Sequence, residues 1–106
     1  MFFIKATAIQ LIDDSAYPEI VRCVFTDFHG CTHTFMEKWP IVSNDDFENS
    51  FPRECMLECV LVEKRGEICV VDTSQPWYIE SEDEKTVFEI HEDLLLEDDW
   101  TEPIEQ

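Results

Sequence analysis

The chain of 106 residues carries 25 acidic and seven basic side chains, a formal net charge of −18. Its 44% of hydrophobic residues can still fill a core, which argues against disorder of the whole chain. Nucleic acid and membrane surfaces are not expected partners, because affinity for phosphate depends on Lys and Arg. The composition therefore favours a basic protein as the partner.

The N-terminal segment and the cysteines bear on location. Segment 2–12 is apolar but has no basic region before it and contains Lys5 and Gln10, unlike a secretory signal peptide. The five cysteines are odd in number, and four lie in apolar runs where a free thiol packs as a small hydrophobic group. We predict a reduced cytoplasmic protein without a cofactor.

Six segments rich in Val, Ile, Phe, Thr and Cys predict strands, separated by segments that collect Pro, Gly, Asn, Asp and Ser. The predicted strands are 2–12, 19–28, 31–39, 54–64, 67–73 and 86–96. Near-consecutive apolar residues in the first and fourth indicate burial on both faces. The predicted fold is all-β and mainly antiparallel, a small closed or semi-closed β-barrel of about six strands.

At most one short helix is expected, in residues 43–51, where Ser43 or Asn44 could cap one helical turn. Residues 1–96 are predicted to form a single β-domain. Residues 97–106 are predicted to be an acidic C-terminal tail, since few apolar residues follow Trp100 to hold it.

The only two glycines each predict a β-hairpin turn. A two-residue turn at His29-Gly30 would place Thr26 opposite His33. A turn at Arg65-Gly66 would likewise place Lys64 opposite Glu67, a favourable cross-strand charge pair. Both hairpins are predicted from these pairings.

The stretch DFHGCTHTF, residues 27–35, sets His29, Cys31 and His33 at alternate positions. Imidazole and thiolate suit zinc, but on a straight strand the two histidines would lie about 13 Å apart, too far for one metal. A Cys31–His33 nucleophile pair is a second chemical alternative, although nothing indicates an oxyanion hole. A hairpin turn is the interpretation we favour, because metal motifs without closing ligands are usually false.

Aromatic residues in or beside loops are the other candidates. Such rings either pack over an open barrel end or serve as interface anchors, and rings rimmed by carboxylates would suit a basic partner. The predicted binding residues are Trp39, Trp77, Tyr78, Trp100, Glu80, Glu82, Asp83, Glu97, Asp98 and Asp99.

Enzyme signatures are not found. Two glycines exclude the dinucleotide-binding and Walker loops, and the sequence has neither a nucleophile elbow nor a HExxH helix. Carboxylates are so many that no catalytic pair stands out from a solvated surface. No enzyme class is therefore supported.

Segments FMEKWPIVS (35–43) and DTSQPWYIES (72–81) are similar to a small family of acidic, uncharacterised bacterial proteins. The resemblance covers roughly residues 20–93 and implies a compact bacterial β-domain, but no activity, cofactor or catalytic residue. We expect a non-catalytic domain of the immunity-protein or inhibitor kind that masks a basic protein surface. The alternative is a metal-dependent or thiol enzyme that uses Cys31 and His33.

Overall fold

Seven strands and two short helical elements form the regular structure of residues 1–97, the residues that the computed structural model describes. The strands are β1 (Phe2–Asp13), β2 (Ile20–Thr26), β3 (Thr32–Lys38), β4 (Arg53–Arg65), β5 (Ile68–Asp72), β6 (Val87–His91) and β7 (Leu95–Glu97). The helical elements are α1 (Trp39–Val42) and a 3-10 turn (Glu92–Leu94). The all-β, mainly antiparallel prediction is confirmed, and the sheet curls into a half-barrel.

Two long strands hold the sheet together. The strand order is β3-β2-β1-β4-β5-β6, and the short β7 pairs with β1. β1 pairs with β4 along residues 2–8 and with β2 along residues 7–13. Register shifts interrupt the pairing of β1 with β2 and of β4 with β5. Such bulges increase the local twist, which favours the curl of the sheet.

The two end strands, β3 and β6, are joined by loops. The Phe28 N–H, in the β2–β3 loop, donates to the Glu89 carbonyl of β6 at 2.8 Å. The Glu82 N–H, in the β5–β6 loop, donates to the Thr34 carbonyl of β3, also at 2.8 Å. We call this junction the seam. It makes the half-barrel semi-closed, as predicted.

Aromatic rings fill the interior across the seam. The Phe88 ring of β6 lies 5.2 Å from the Phe25 ring and 5.7 Å from the Phe35 ring, both in edge-to-face geometry. Each buried side chain of this size contributes about 1.5–3 kcal/mol to folding. The largest fully buried side chains include Phe35, Ile4, Leu57, Ile79, Ile90, Val21, Val42 and Val71.

Four of the five cysteines belong to this core, in agreement with the sequence pattern. Cys23, Cys55, Cys59 and Cys69 are buried and free, whereas Cys31 is exposed. Burial raises the pKa of the Cys59 thiol to about 12, with Glu58, Asp72 and Cys69 adding to the effect. A hydrogen bond that the protonated Cys55 thiol makes with Cys23, together with burial, also raises the pKa of Cys55. Buried thiols of this kind are unreactive.

The register predicted for the first hairpin is wrong by one residue. Thr26 pairs with Thr32 and Phe25 with His33, so the loop spans residues 27–31. The Asp27 carboxylate explains the longer loop, because its Oδ1 accepts the N–H groups of His29 and Cys31, each at 2.9 Å. A one-residue shift exchanges the two faces of a strand, and here it turns His33 toward the core.

The second predicted turn is also shifted. Arg65 pairs with Ile68, so Gly66 and Glu67 form the turn. Gly66 has φ +61°, which suits the first central position of a two-residue hairpin turn. Val62 is the extra residue of the bulge between Leu61 and Glu63.

The short helix precedes the predicted segment. α1 has a proline in its first turn, Pro40, where the missing N–H costs no helical hydrogen bond. Ser43 is extended, with φ −155°, and its hydroxyl accepts from the Asp45 N–H at 3.0 Å. This local bond gives the backbone an alternative to a helix, which explains why residues 43–51 do not form one.

Candidate functional site

The β5–β6 loop presents two aromatic side chains to solvent. Its base is fixed by the Thr73 hydroxyl, which donates to the Ile79 carbonyl, and by the Ile79 N–H, which donates to the Thr73 carbonyl at 2.8 Å. Ile79 is fully buried and anchors the loop in the core. Trp77 and Tyr78, directly before it, are 53% and 61% exposed. Both were among the predicted binding residues.

Of the two alternatives predicted for these rings, packing and an interface anchor, Trp39 has the first. It is only 3% exposed, and its Nε1 donates to the Asp45 carbonyl at 2.7 Å. The Arg53 guanidinium lies over the indole, 4.7 Å from its centroid. Trp39 thus holds the 43–45 segment against β4 and is no surface anchor. Trp100, Asp98 and Asp99 lie outside the described residues.

Trp77 borders a small apolar groove of about 220 Å³. Its indole Nε1 donates to Glu58 Oε1 at 2.9 Å, which fixes the ring beside β4. We call this depression the tryptophan groove. Its lining residues are Met1, Phe3, Pro40, Ile41, Val42, Ser43, Asn44, Met56, Glu58 and Trp77.

A larger depression of about 850 Å³ adjoins it, and we call it the sheet groove. Its floor is made of three consecutive residues from each of three neighbouring strands: residues 5–7, 24–26 and 54–56. Its walls are residues 42–45 together with Leu94 and Leu96. The two grooves share Val42, Ser43, Asn44 and Met56, so they form one continuous surface.

Neither groove was predicted from the sequence, although a signal for them was present. Apolar residues on both faces of β1 and β4 indicated burial on both sides. Phe3 is buried and Met56 is half-buried, and both line the tryptophan groove. The residues next to them in the sequence, Ile4 and Leu57, are buried in the core. The 40–45 segment lies beside these residues and covers them only in part, which leaves the two grooves open.

The predicted acidic residues are spread over the surface. Glu82 is exposed and pairs with Arg22, Oε2 to Nε 3.4 Å. Glu80 is half-buried and Asp83 is exposed, both in the β5–β6 loop. Glu97 is the last residue of β7 and pairs with Phe2 of β1. The carboxylates that line the grooves, Asp45, Glu54 and Glu58, were not predicted.

The His-Cys stretch forms an ordered loop. His33 is 6% exposed, and its Nε2 lies 2.8 Å from Asp27 Oδ2. Its Nδ1 is buried without a hydrogen-bond partner, and its ring lies 4.8 Å from the Phe88 ring. His29 lies at the tip, where its Nε2 is 2.6 Å from Glu89 Oε1 on β6.

This geometry makes Asp27 the centre of the loop. Burial acts to raise the pKa of Asp27, but hydrogen bonds from His33 and from the Cys31 and His29 N–H groups outweigh it and lower that pKa. His33 Nε2 is hydrogen-bonded to Asp27, so this imidazole nitrogen already has a partner within the protein. Within residues 1–97, no group of three or more His, Cys, Asp or Glu side chains is placed to hold a metal ion. The arrangement does not favour the metal or thiol alternative for Cys31 and His33.

No family model, curated protein or solved structure matches the chain. The resemblance of segments 35–43 and 72–81 to a bacterial family therefore stays a prediction. No helix in the described part of the chain is both long enough and apolar enough to cross a membrane.

Proposed function

We propose that this protein is a non-catalytic, acidic binding domain that covers a basic surface of another protein, in the manner of an immunity protein or an inhibitor. The observation that carries the proposal is Trp77, an exposed indole tied to Glu58 at the edge of an apolar groove. Tryptophan is among the residues that most often dominate binding energy at interfaces. In a chain with a net charge of −18, the complementary surface is basic.

The backbone of Tyr78 supports the same proposal. Its φ of +53° lies in the left-handed region, which is costly for a side chain of this size, about 1–3 kcal/mol. The buried Ile79 and the Thr73 hydrogen bonds hold the loop in this conformation. An exposed aromatic pair that is already fixed loses little conformational freedom on binding, which favours affinity.

The cysteines fit a cytoplasmic location for such a domain. All five are free, and four are buried where they stabilise the core as thiols. Reducing compartments preserve thiols in this state. These free thiols support our proposal that the interaction takes place in the cytoplasm.

The test is binding of the purified partner, identified by cross-linking and mass spectrometry, to wild-type protein and to Trp77→Ala. We expect the partner to be basic and the dissociation constant to rise with salt. Trp77→Ala should weaken binding about 30-fold, the effect of losing a strong interface anchor. The matched control is Tyr17→Ala, which removes another exposed ring, 84% exposed, from the β1–β2 loop.

Two results would overturn the proposal. One is a partner whose surface is acidic or neutral and whose binding does not depend on salt. The other is equal, small losses for Trp77→Ala and Tyr17→Ala, which would remove Trp77 from the interface. Denaturation of each variant shows whether a loss of binding reflects a loss of folding.

A further inference from the structure

The two grooves together have the character of a binding surface. Several of the lining side chains are apolar, among them Val24 and Met56 on the floor of the sheet groove and Leu96 in its wall. The volume of the sheet groove, about 850 Å³, is within the range of sites that bind small ligands, about 300–1,000 Å³. The sheet groove is lined both by core residues of these strands, such as Ala6 and Phe25, and by their more exposed neighbours, such as Thr7 and Thr26.

The charges at the grooves are mainly negative. Asp45, Glu54 and Glu58 line them, against one basic residue, Lys5. The carboxylates of Asp45 and Glu54 form no hydrogen bond or ion pair with any other described residue. These two acceptors are therefore free for a cation that enters the sheet groove.

Lysine and arginine side chains match this combination. Both carry a long methylene stem that packs on apolar surface and a cationic end that stays at a polar rim. A shorter apolar side chain from the same partner would fit the tryptophan groove, between Phe3 and Trp77. Side chains two residues apart in an extended chain point the same way, so one segment can fill both grooves.

We infer that the sheet groove and the tryptophan groove together bind an extended segment of a basic protein. A lysine or arginine of that segment lies in the sheet groove with its cation at Asp45 and Glu54. A neighbouring apolar side chain lies against Trp77. This inference rests on the proposed function and adds to it the binding surface and the chemistry of the segment that is bound.

The experiment is a titration of the full-length, ¹⁵N-labelled protein with the peptide acetyl-Leu-Ser-Lys-Ser-Leu-amide, followed by amide chemical shifts. We expect the largest shifts at residues 5–7, 24–26 and 54–56, and the same peptide with glutamate in place of lysine should bind at least about tenfold more weakly. Glu54→Gln should weaken binding of the lysine peptide several-fold. Lys5→Met should strengthen it, because it removes the like charge.

The control variant is Asp14→Asn, which changes the net charge by the same amount as Glu54→Gln but lies in the β1–β2 loop outside both grooves. Equal effects of Glu54→Gln and Asp14→Asn would overturn the inference, since only the overall charge would then matter. Shifts centred elsewhere, for example at 80–83, would also overturn it. Preference for the glutamate peptide would show that Lys5 recruits an anion instead.

These results are distinguishable from a failure of the proposed function. If the natural partner is basic and binding needs Trp77, but the sheet-groove amides do not shift with that partner, the inference is wrong and the proposed function stands. If the natural partner is not basic, the proposed function is wrong whatever the peptide does.

Discussion

Asp27 determines the conformation of the β2–β3 loop. One carboxylate oxygen accepts two backbone N–H groups and the other contacts His33 Nε2 at 2.8 Å. Its side chain is only 11% exposed, so these bonds are shielded from water. The same residue that lengthens the loop also holds His33 in the core.

We expect Asp27→Ala to lower the free energy of unfolding by about 3 kcal/mol, because it leaves a buried imidazole nitrogen and two N–H groups without their acceptor. Asp14→Ala, in an exposed loop, should change it by less than about 0.5 kcal/mol. Urea denaturation measures both. A loss below about 1 kcal/mol for Asp27→Ala would mean that the loop is not organised by this carboxylate.

The charge of Asp27 adds a pH dependence. Because the pKa of Asp27 is lowered in the folded protein, its charge stabilises the fold above the unfolded-state pKa of about 3.9. This stabilisation is lost as the pH falls through the lower, folded-state pKa. The stability gap between wild type and Asp27→Asn should therefore narrow below pH 4, and a gap that stays constant would contradict the assignment.

At the scale of elements, the strands were predictable and their registers were not. Composition alone indicates where Val-, Ile- and Phe-rich segments extend, and five of the predicted strands lie within two residues of their ranges. The predicted strand 86–96 is instead divided into β6 and β7 by the 3-10 turn. The register of each hairpin depends on which atoms satisfy the loop's backbone groups. A side-chain oxygen at Asp27 does so in the first hairpin, and residue spacing does not reveal that choice.

The candidate site was also predictable only in part from the sequence. Trp77 and Tyr78 could be predicted because proline and large rings together indicate a loop. Trp39 has a similar local sequence but is buried, because α1 turns it toward β4. The grooves depend on how far the 40–45 segment covers the sheet, which is a tertiary property that strand patterns do not contain.

Substitutions at Gly30 test the backbone conformation of the β2–β3 loop. Its φ of +83° is unfavourable for a β-branched residue, while a Cβ at this position would meet no atom within 4 Å. Gly30→Val should therefore destabilise the protein by about 1–2 kcal/mol through backbone strain alone. Gly30→Asn, a residue that tolerates this region, should lose clearly less. Equal losses for the two variants in chemical denaturation would show that φ is not the cause.

For the whole molecule, charge is the dominant property. Between residues 98 and 106 the chain has four acidic side chains and no basic one, so a chain that ends after Glu97 still carries a large negative charge. All seven strands that the structure describes lie within residues 1–97. The fold should therefore not depend on the last nine residues.

We expect a protein truncated after Glu97 to keep its circular dichroism spectrum and its cooperative unfolding. It should associate with the natural partner more slowly at low salt, because exposed charges steer encounter over a distance that salt limits to about 8 Å at physiological strength. Full-length protein with Asp98→Asn and Asp99→Asn is the control that keeps Trp100. If the truncated protein associates as fast as wild type at low salt, the charges of residues 98–106 do not steer association and contribute only to solubility.

The seam has a consequence for how the chain reaches its native state. His29 and Glu89, which meet there, are 60 positions apart in the sequence, so the contact requires closing a large loop. Long-range contacts of this kind form slowly. Until they form, the phenylalanines that later meet across the seam are open to water, and partly folded chains with such surfaces associate with one another. A net charge of −18 opposes that encounter by mutual repulsion, so we expect the acidity of the chain to limit aggregation of newly made molecules.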